Sequence, residues 1–178
     1  DGTLNFLNGI PHFAISIAYE EKGEIVCGLI FDPIKNEIFF AEKGSGAFFN
    51  NSRIRVTKKK TLKSSILVTG GPKFNSPRRN NIFQEYIKVS NLTEADIRKF
   101  GSAALNLSYV AAGRFDAYWE WELNLWDIAA GIVILKEAGG YIEFIEPGTP
   151  SSFKRNIIAT NSSIHEELKG VLIKKNIE

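Results

Sequence analysis

Between His12 and Tyr19 the large apolar side chains Phe13, Ile15, Ile17 and Tyr19 alternate with His12, Ala14, Ser16 and Ala18. A period of two is the mark of a β-strand with unlike faces. The turn EEKGE follows, and then IVCGLIF (residues 25–31), a second strand apolar on both faces. DPIKN, with Pro33 at the second position of a turn, leads into EIFFA (37–41), and the two glycines of EKGSG close the segment. The first third of the chain is therefore predicted to be an antiparallel meander.

From Thr61 the pattern changes. SSILVT (64–69) predicts a strand, GGPKFNSPRRNN (70–81) a loop, IFQEYIKV (82–89) a short helix and DIRKF (96–100) another strand. Ser102 is a good N-cap for a helix with Ala103, Ala104, Leu107, Val110 and Ala111 at helical spacing, ended by Gly113. FDAYWEW (115–121) returns to strand character. Asn124 is placed to cap the next helix, whose Ile128, Ile132 and Leu135 share a face and which Gly139 and Gly140 terminate. YIEFI (141–145) and NIIAT (156–160) predict strands, and SIHEELKGVLIKK (163–175) an amphipathic helix. Sheet-rich at first and alternating afterwards, the elements predict a layered α/β (α+β) architecture rather than a bundle or a sandwich of sheets alone. They divide the chain into a sheet half, 1–63, and an α/β half with a mixed sheet, 64–178.

Composition adds mainly exclusions. Hydrophobic residues at 44% and charged residues at 24% are ordinary for a globular protein. The net charge of +2 is too small to argue for nucleic acid or a membrane surface. Cys27 is the only cysteine, so no internal disulfide forms, and its apolar surroundings read as a buried thiol in a reducing, cytoplasmic setting. No apolar stretch approaches the roughly 20 residues that span a bilayer. His12 and His165 lack a second His or Cys at ligand spacing, which argues against zinc. The basic run RIRVTKKK reads as a solvated edge.

Chemistry concentrates at sharp transitions. Asp1 precedes Gly2-Thr3, a turn able to present a carboxylate and backbone amides to a metal or a phosphate. Asp127 falls in the first turn of a predicted helix, where its charge complements the macrodipole. GSAALN gives another helix entry, either a plain N-cap or a terminus whose free N–H groups meet an anionic ligand. Glu120, between Trp119 and Trp121, lies either on the solvent side of its strand or among groups that bind a hydroxyl.

DGTLNF, GSAALN and LWDIAAGIVILKEAGG, in this order and with EKGSGAFFN between the first two, together resemble the inositol monophosphatase family. The likeness runs over the whole chain. It implies the family's layered α-β-α-β-α sandwich and Mg²⁺-dependent hydrolysis of a phosphorylated polyol, inositol 1-phosphate, in a cytoplasmic homodimer. By the resemblance, Asp1 and Asp127 ligate metal, Gly2 and Thr3 contact phosphate, and the Thr3 hydroxyl orients the attacking water. Gly101, Ser102 and Ala103 line the substrate, and Glu120 binds a ring hydroxyl. The family's N-terminal helices, an earlier Glu and the first Asp of the opening signature have no counterpart, so the N-terminal part is expected to be missing and the metal site incomplete. Related readings are a phosphatase for fructose 1,6-bisphosphate or a 3′-phosphoadenosine nucleotide, and a non-catalytic association with RNA polymerase and ribosomal RNA transcription.

Overall fold

The computed structural model describes residues 1–71, 76, 78–145 and 154–173. The meander forms as an antiparallel sheet in sequence order: β1 (Ile15–Glu21), β2 (Glu24–Asp32), β3 (Glu37–Glu42), β4 (Gly46–Phe49) and β5 (Ser52–Arg53). A second sheet has the order β7-β6-β8-β10-β9, from β6 (Ile66–Thr69), β7 (Asp96–Arg98), β8 (Ala117–Asn124), β9 (Tyr141–Phe144) and β10 (Lys154–Thr160). In it β6 runs parallel to β7 and β8, and the remaining pairs are antiparallel.

Helices α3 (Ala103–Ala111) and α4 (Leu125–Glu137) lie between the sheets, and one core joins all three layers. Ile30 and Phe39 enter it from the first sheet, Leu107 and Ile134 from the helices, and Tyr118 and Ile157 from the second sheet. The opposite face of the second sheet packs Trp119, Trp121 and Ile158 against α2 (Arg79–Thr93) and α5 (His165–Ile173). Among the described residues this makes four layers, and the outer face of the first sheet carries none of the long helices.

That face reverses a natural expectation about β1. Its large side chains point outward: Ile15, Ile17 and Tyr19 are 53, 59 and 60% exposed. The small residues point inward because α4 comes very close. A Cβ on Gly28 would lie 2.6 Å from the Ala130 carbonyl oxygen, and the cross-strand row Ala18, Gly28, Ala41 and Ala47 holds nothing larger than a methyl group. Alternation thus located the strand, and the helix decided which face it buries.

Several boundaries also differ from the sequence expectation. The first strand begins at Ile15 rather than His12, because Ala14 and His12 are engaged by the N-terminal segment, as described below. A short helix α1 (Thr3–Leu7) was not expected, nor were β4 and β5. α2 spans 15 residues, longer at both ends than predicted, since Phe83, Tyr86 and Ile87 are exposed and blur its periodicity. Part of the loop predicted for 70–81 and the end of the helix predicted to 175 lie outside the described residues. No helix among the described residues is long and apolar enough to cross a membrane.

Candidate active site

Asp1 is fixed from three sides. Its amino nitrogen donates to the Ala14 carbonyl at 2.7 Å, and the Ala14 amide donates back to the Asp1 carbonyl at 2.9 Å. Its carboxylate oxygen Oδ2 accepts from the Ser102 hydroxyl at 2.6 Å and the Ala104 amide at 3.0 Å. The anion therefore sits on the N-terminus of α3, where free amides and the helix dipole favour negative charge. Ser102 serves twice, since the same oxygen accepts from the Leu105 amide at 3.3 Å and so caps the helix as predicted.

Gly2 and Gly101 make this meeting sterically possible. Gly2 adopts φ +83°, and a Cβ there would come within 2.9 Å of the Phe13 Cα. Gly101, at φ +85°, lies over the Asn5 amide group. Asn5 in turn donates to the His12 and Phe100 carbonyls, both at 2.7 Å, and ties the two loops together. Thr3 begins α1 with its side chain exposed, while Ala103 is buried at the start of α3. Asp1, Gly2, Gly101 and Ser102 are thus brought together across about 100 residues of sequence. Asn5 is part of the same structure and carried no functional signal beyond its place in the DGTLNF motif.

A second group forms around Tyr118. Its hydroxyl donates to Glu120 Oε2 at 2.5 Å, and the ring is fully buried. Burial pushes the phenol well above its ordinary range, the Glu120 and Asp127 charges add to this, and the Asn106 amide opposes it. Glu120 lies on the Tyr118 face of β8, toward α3 and α4, and not on an open solvent side; it is half-buried. A Cβ on Gly70 would fall 1.9 Å from its carboxyl carbon, so only glycine leaves the carboxylate this position. On the other face of the sheet, toward α2, a cavity of about 310 Å³ opens between Gly70, Gly71, Phe83, Tyr86, Lys99 and Trp119, and Glu120 does not line it.

Asp127 stands in the first turn of α4, half-buried. Asn124 is the residue before that helix, yet its side chain makes no cap; its Nδ2 donates instead to Asp127 Oδ2 at 3.1 Å. The expected cap is replaced by a bond that orients the acid. Tyr118, Asn106 and Gly70 escaped the sequence reading, and Asn124 was read only as a helix cap. The alternation in AYWEWE put Tyr118 and Glu120 on one face, and that was the available clue.

Asp1, Glu120 and Asp127 offer oxygen donors alone, the kind a hard cation such as Mg²⁺ requires. A different cluster, Glu143, His165 and Glu166, can bring its donor atoms within 4.8 Å of one another. There Glu143 is already matched by Lys169 at 2.7 Å and by His165 at 2.8 Å, which hold its carboxyl below the usual range. It is an ion-pair cluster on α5 and β9, apart from the residues above.

Comparison with known proteins fits this geometry. A family model described as the inositol monophosphatase family matches residues 1–176. The inositol-1-monophosphatase of Rhizobium meliloti is 44% identical over 172 residues, covering 97% of this chain and 64% of that protein. The Nus factor SuhB of Haemophilus influenzae is 43% identical over 170 residues, covering 94% of this chain and 62% of that protein. The crystal structure of the extragenic suppressor protein suhB from Bartonella henselae superposes with a TM-score of 0.90 at 48% identity, covering 98% of this chain and 66% of that one. The chain spans less than two thirds of the length of the two curated relatives.

Proposed function

The chain belongs to the inositol monophosphatase family, and from that premise we propose that it carries the greater part of a Mg²⁺-dependent phosphomonoesterase that converts inositol 1-phosphate to inositol and phosphate. The observation that carries the reading is the Asp1 carboxylate seated on the α3 N-terminus, which joins the DGT and GSA segments in one place. Asp1 and Asp127 would hold Mg²⁺, whose charge, when bound, offsets the repulsion between a phosphate dianion and an incoming water oxygen.

The chain's own groups supply position. Ser102 and Ala104 hold the Asp1 carboxylate in one orientation. The Asn124 amide likewise orients Asp127. The Gly2 backbone and the Thr3 hydroxyl at the start of α1 are the groups proposed to meet phosphate and to align the water. Gly101, Ser102 and Ala103 form the adjoining wall, and Glu120 accepts a hydrogen bond from a ring hydroxyl. The protein is read as a cytoplasmic homodimer. A second reading draws on the relative named Nus factor SuhB: a role with the transcription machinery that needs no catalysis.

Phosphate release from inositol 1-phosphate, with and without Mg²⁺, tests the first reading in an intact protein containing this chain. Turnover should require Mg²⁺, and Asp127→Asn should abolish it while leaving the melting temperature nearly unchanged. The 178 residues alone should bind Mg²⁺ at millimolar concentration or worse and show no turnover. Metal-independent hydrolysis, or an active Asp127→Asn variant, would overturn the proposed metal site. Retention of RNA polymerase by a protein devoid of phosphatase activity would favour the second reading.

A further inference from the structure

Asn106 on α3 is fully buried, and neither its Nδ2 nor its Oδ1 has a hydrogen-bond partner among the described residues. An amide in that state costs stability, and a leucine would fill the space without the cost. It stands one turn beyond Ser102, on the helix that holds Asp1, and it is one of the groups that act on the Tyr118 hydroxyl. Tyr118 is the second anomaly. A phenylalanine would pack as well in the core, yet the hydroxyl is present and is directed at a carboxylate 2.5 Å away.

We propose that Tyr118 and Asn106 are positioning residues for Glu120, which fix its carboxylate in the orientation that receives a hydroxyl of a polyol phosphate. A hydroxyl has one proton. Tyr118 gives it to Glu120, so its oxygen remains an acceptor, and the Asn106 Nδ2, with no partner among the described residues, is the donor assigned to it. Gly70 leaves the carboxylate room on the other side. Because Asn106 and the anchor of Asp1 share α3, hydroxyl recognition and the acidic centre are registered to one rigid element. The inference rests on the reading of Glu120 as a hydroxyl-binding group.

The test is a double-mutant cycle on the intact protein, with kcat/KM measured for inositol 1-phosphate and for p-nitrophenyl phosphate, which lacks ring hydroxyls. Tyr118→Phe should lower the ratio of the two by roughly tenfold, the size expected for weakening one hydrogen bond to a charged group. Most of the change should fall in KM for inositol 1-phosphate, with the aryl phosphate untouched. Asn106→Leu should shift the ratio the same way by less, with an unchanged or higher melting temperature. Tyr118→Phe in a Glu120→Gln background should add nothing, because it acts through Glu120. Equal losses on both substrates, or additive losses in the cycle, would make Tyr118 merely structural and overturn the proposal. If Glu120→Gln shifts the ratio and neither Tyr118→Phe nor Asn106→Leu does, the positioning role falls and the hydroxyl-binding reading stands. If Glu120→Gln leaves the ratio unchanged, both fall.

Discussion

His12 shows how a single side chain can carry the pH dependence of the N-terminal segment. It is buried against Phe100 and Tyr109, and its Nε2 finds no partner among the described residues. Burial, helped by the Lys35 ammonium and opposed by Asp32, holds its pKa below the ordinary value. The unfolded chain thus takes up this proton first. Stability is fully present above about pH 6.5 and is lost as pH falls through that value toward the lowered folded pKa. Between pH 8 and 5.5, the melting temperature of His12→Gln should fall less than that of the wild type. Parallel falls in the two proteins would remove His12 as the cause. The carboxyls of Asp32 and Glu143, also held low, act in the same direction but at more acidic pH.

At the scale of elements, two glycines separate packing from function. Gly28 faces the backbone of α4, which cannot give way, so Gly28→Ala should cost about 1–3 kcal/mol by overpacking and lower the melting temperature by several degrees. Gly70 faces the end of the flexible Glu120 side chain. Gly70→Ala should displace that carboxylate with little loss of stability and lower activity on inositol 1-phosphate more than on an aryl phosphate. Calorimetry and the two-substrate assay together distinguish them. A large stability loss for Gly70→Ala, or none for Gly28→Ala, would show that the layers yield where the structure has them rigid.

For the whole molecule the outer face of the first sheet dominates. Ile15, Ile17 and Tyr19 continue across the sheet into Leu29, Phe31, Ile38 and Phe40, an apolar surface in register from strand to strand. Exposed apolar surface of this extent favours association. The 178-residue chain should bind an apolar dye and sediment as more than a monomer, and Ile17→Lys with Ile38→Lys should reduce both. A dye-silent, monomeric wild-type chain would contradict the exposure of this face.

Much of the fold was legible in the chain itself. Period-two alternation marked β1, helical spacing and Ser102 marked α3, and the glycines at 113 and 139 marked helix ends through their positive φ. The motifs singled out Asp1, Ser102 and Asp127 because turns and helix starts are local features, readable from a few neighbouring residues, whereas the strand residue Glu120 drew its role from the family resemblance. What a local pattern does not carry is distance across the chain. Only the tertiary structure seated Asp1 on a helix 101 residues away, turned Asn124 from a cap into a partner for Asp127, and left the Asn106 amide buried without a partner among the described residues. It also chose the buried face of β1, since the tight seat of α4 on Gly28 admits small side chains and leaves the large ones outside.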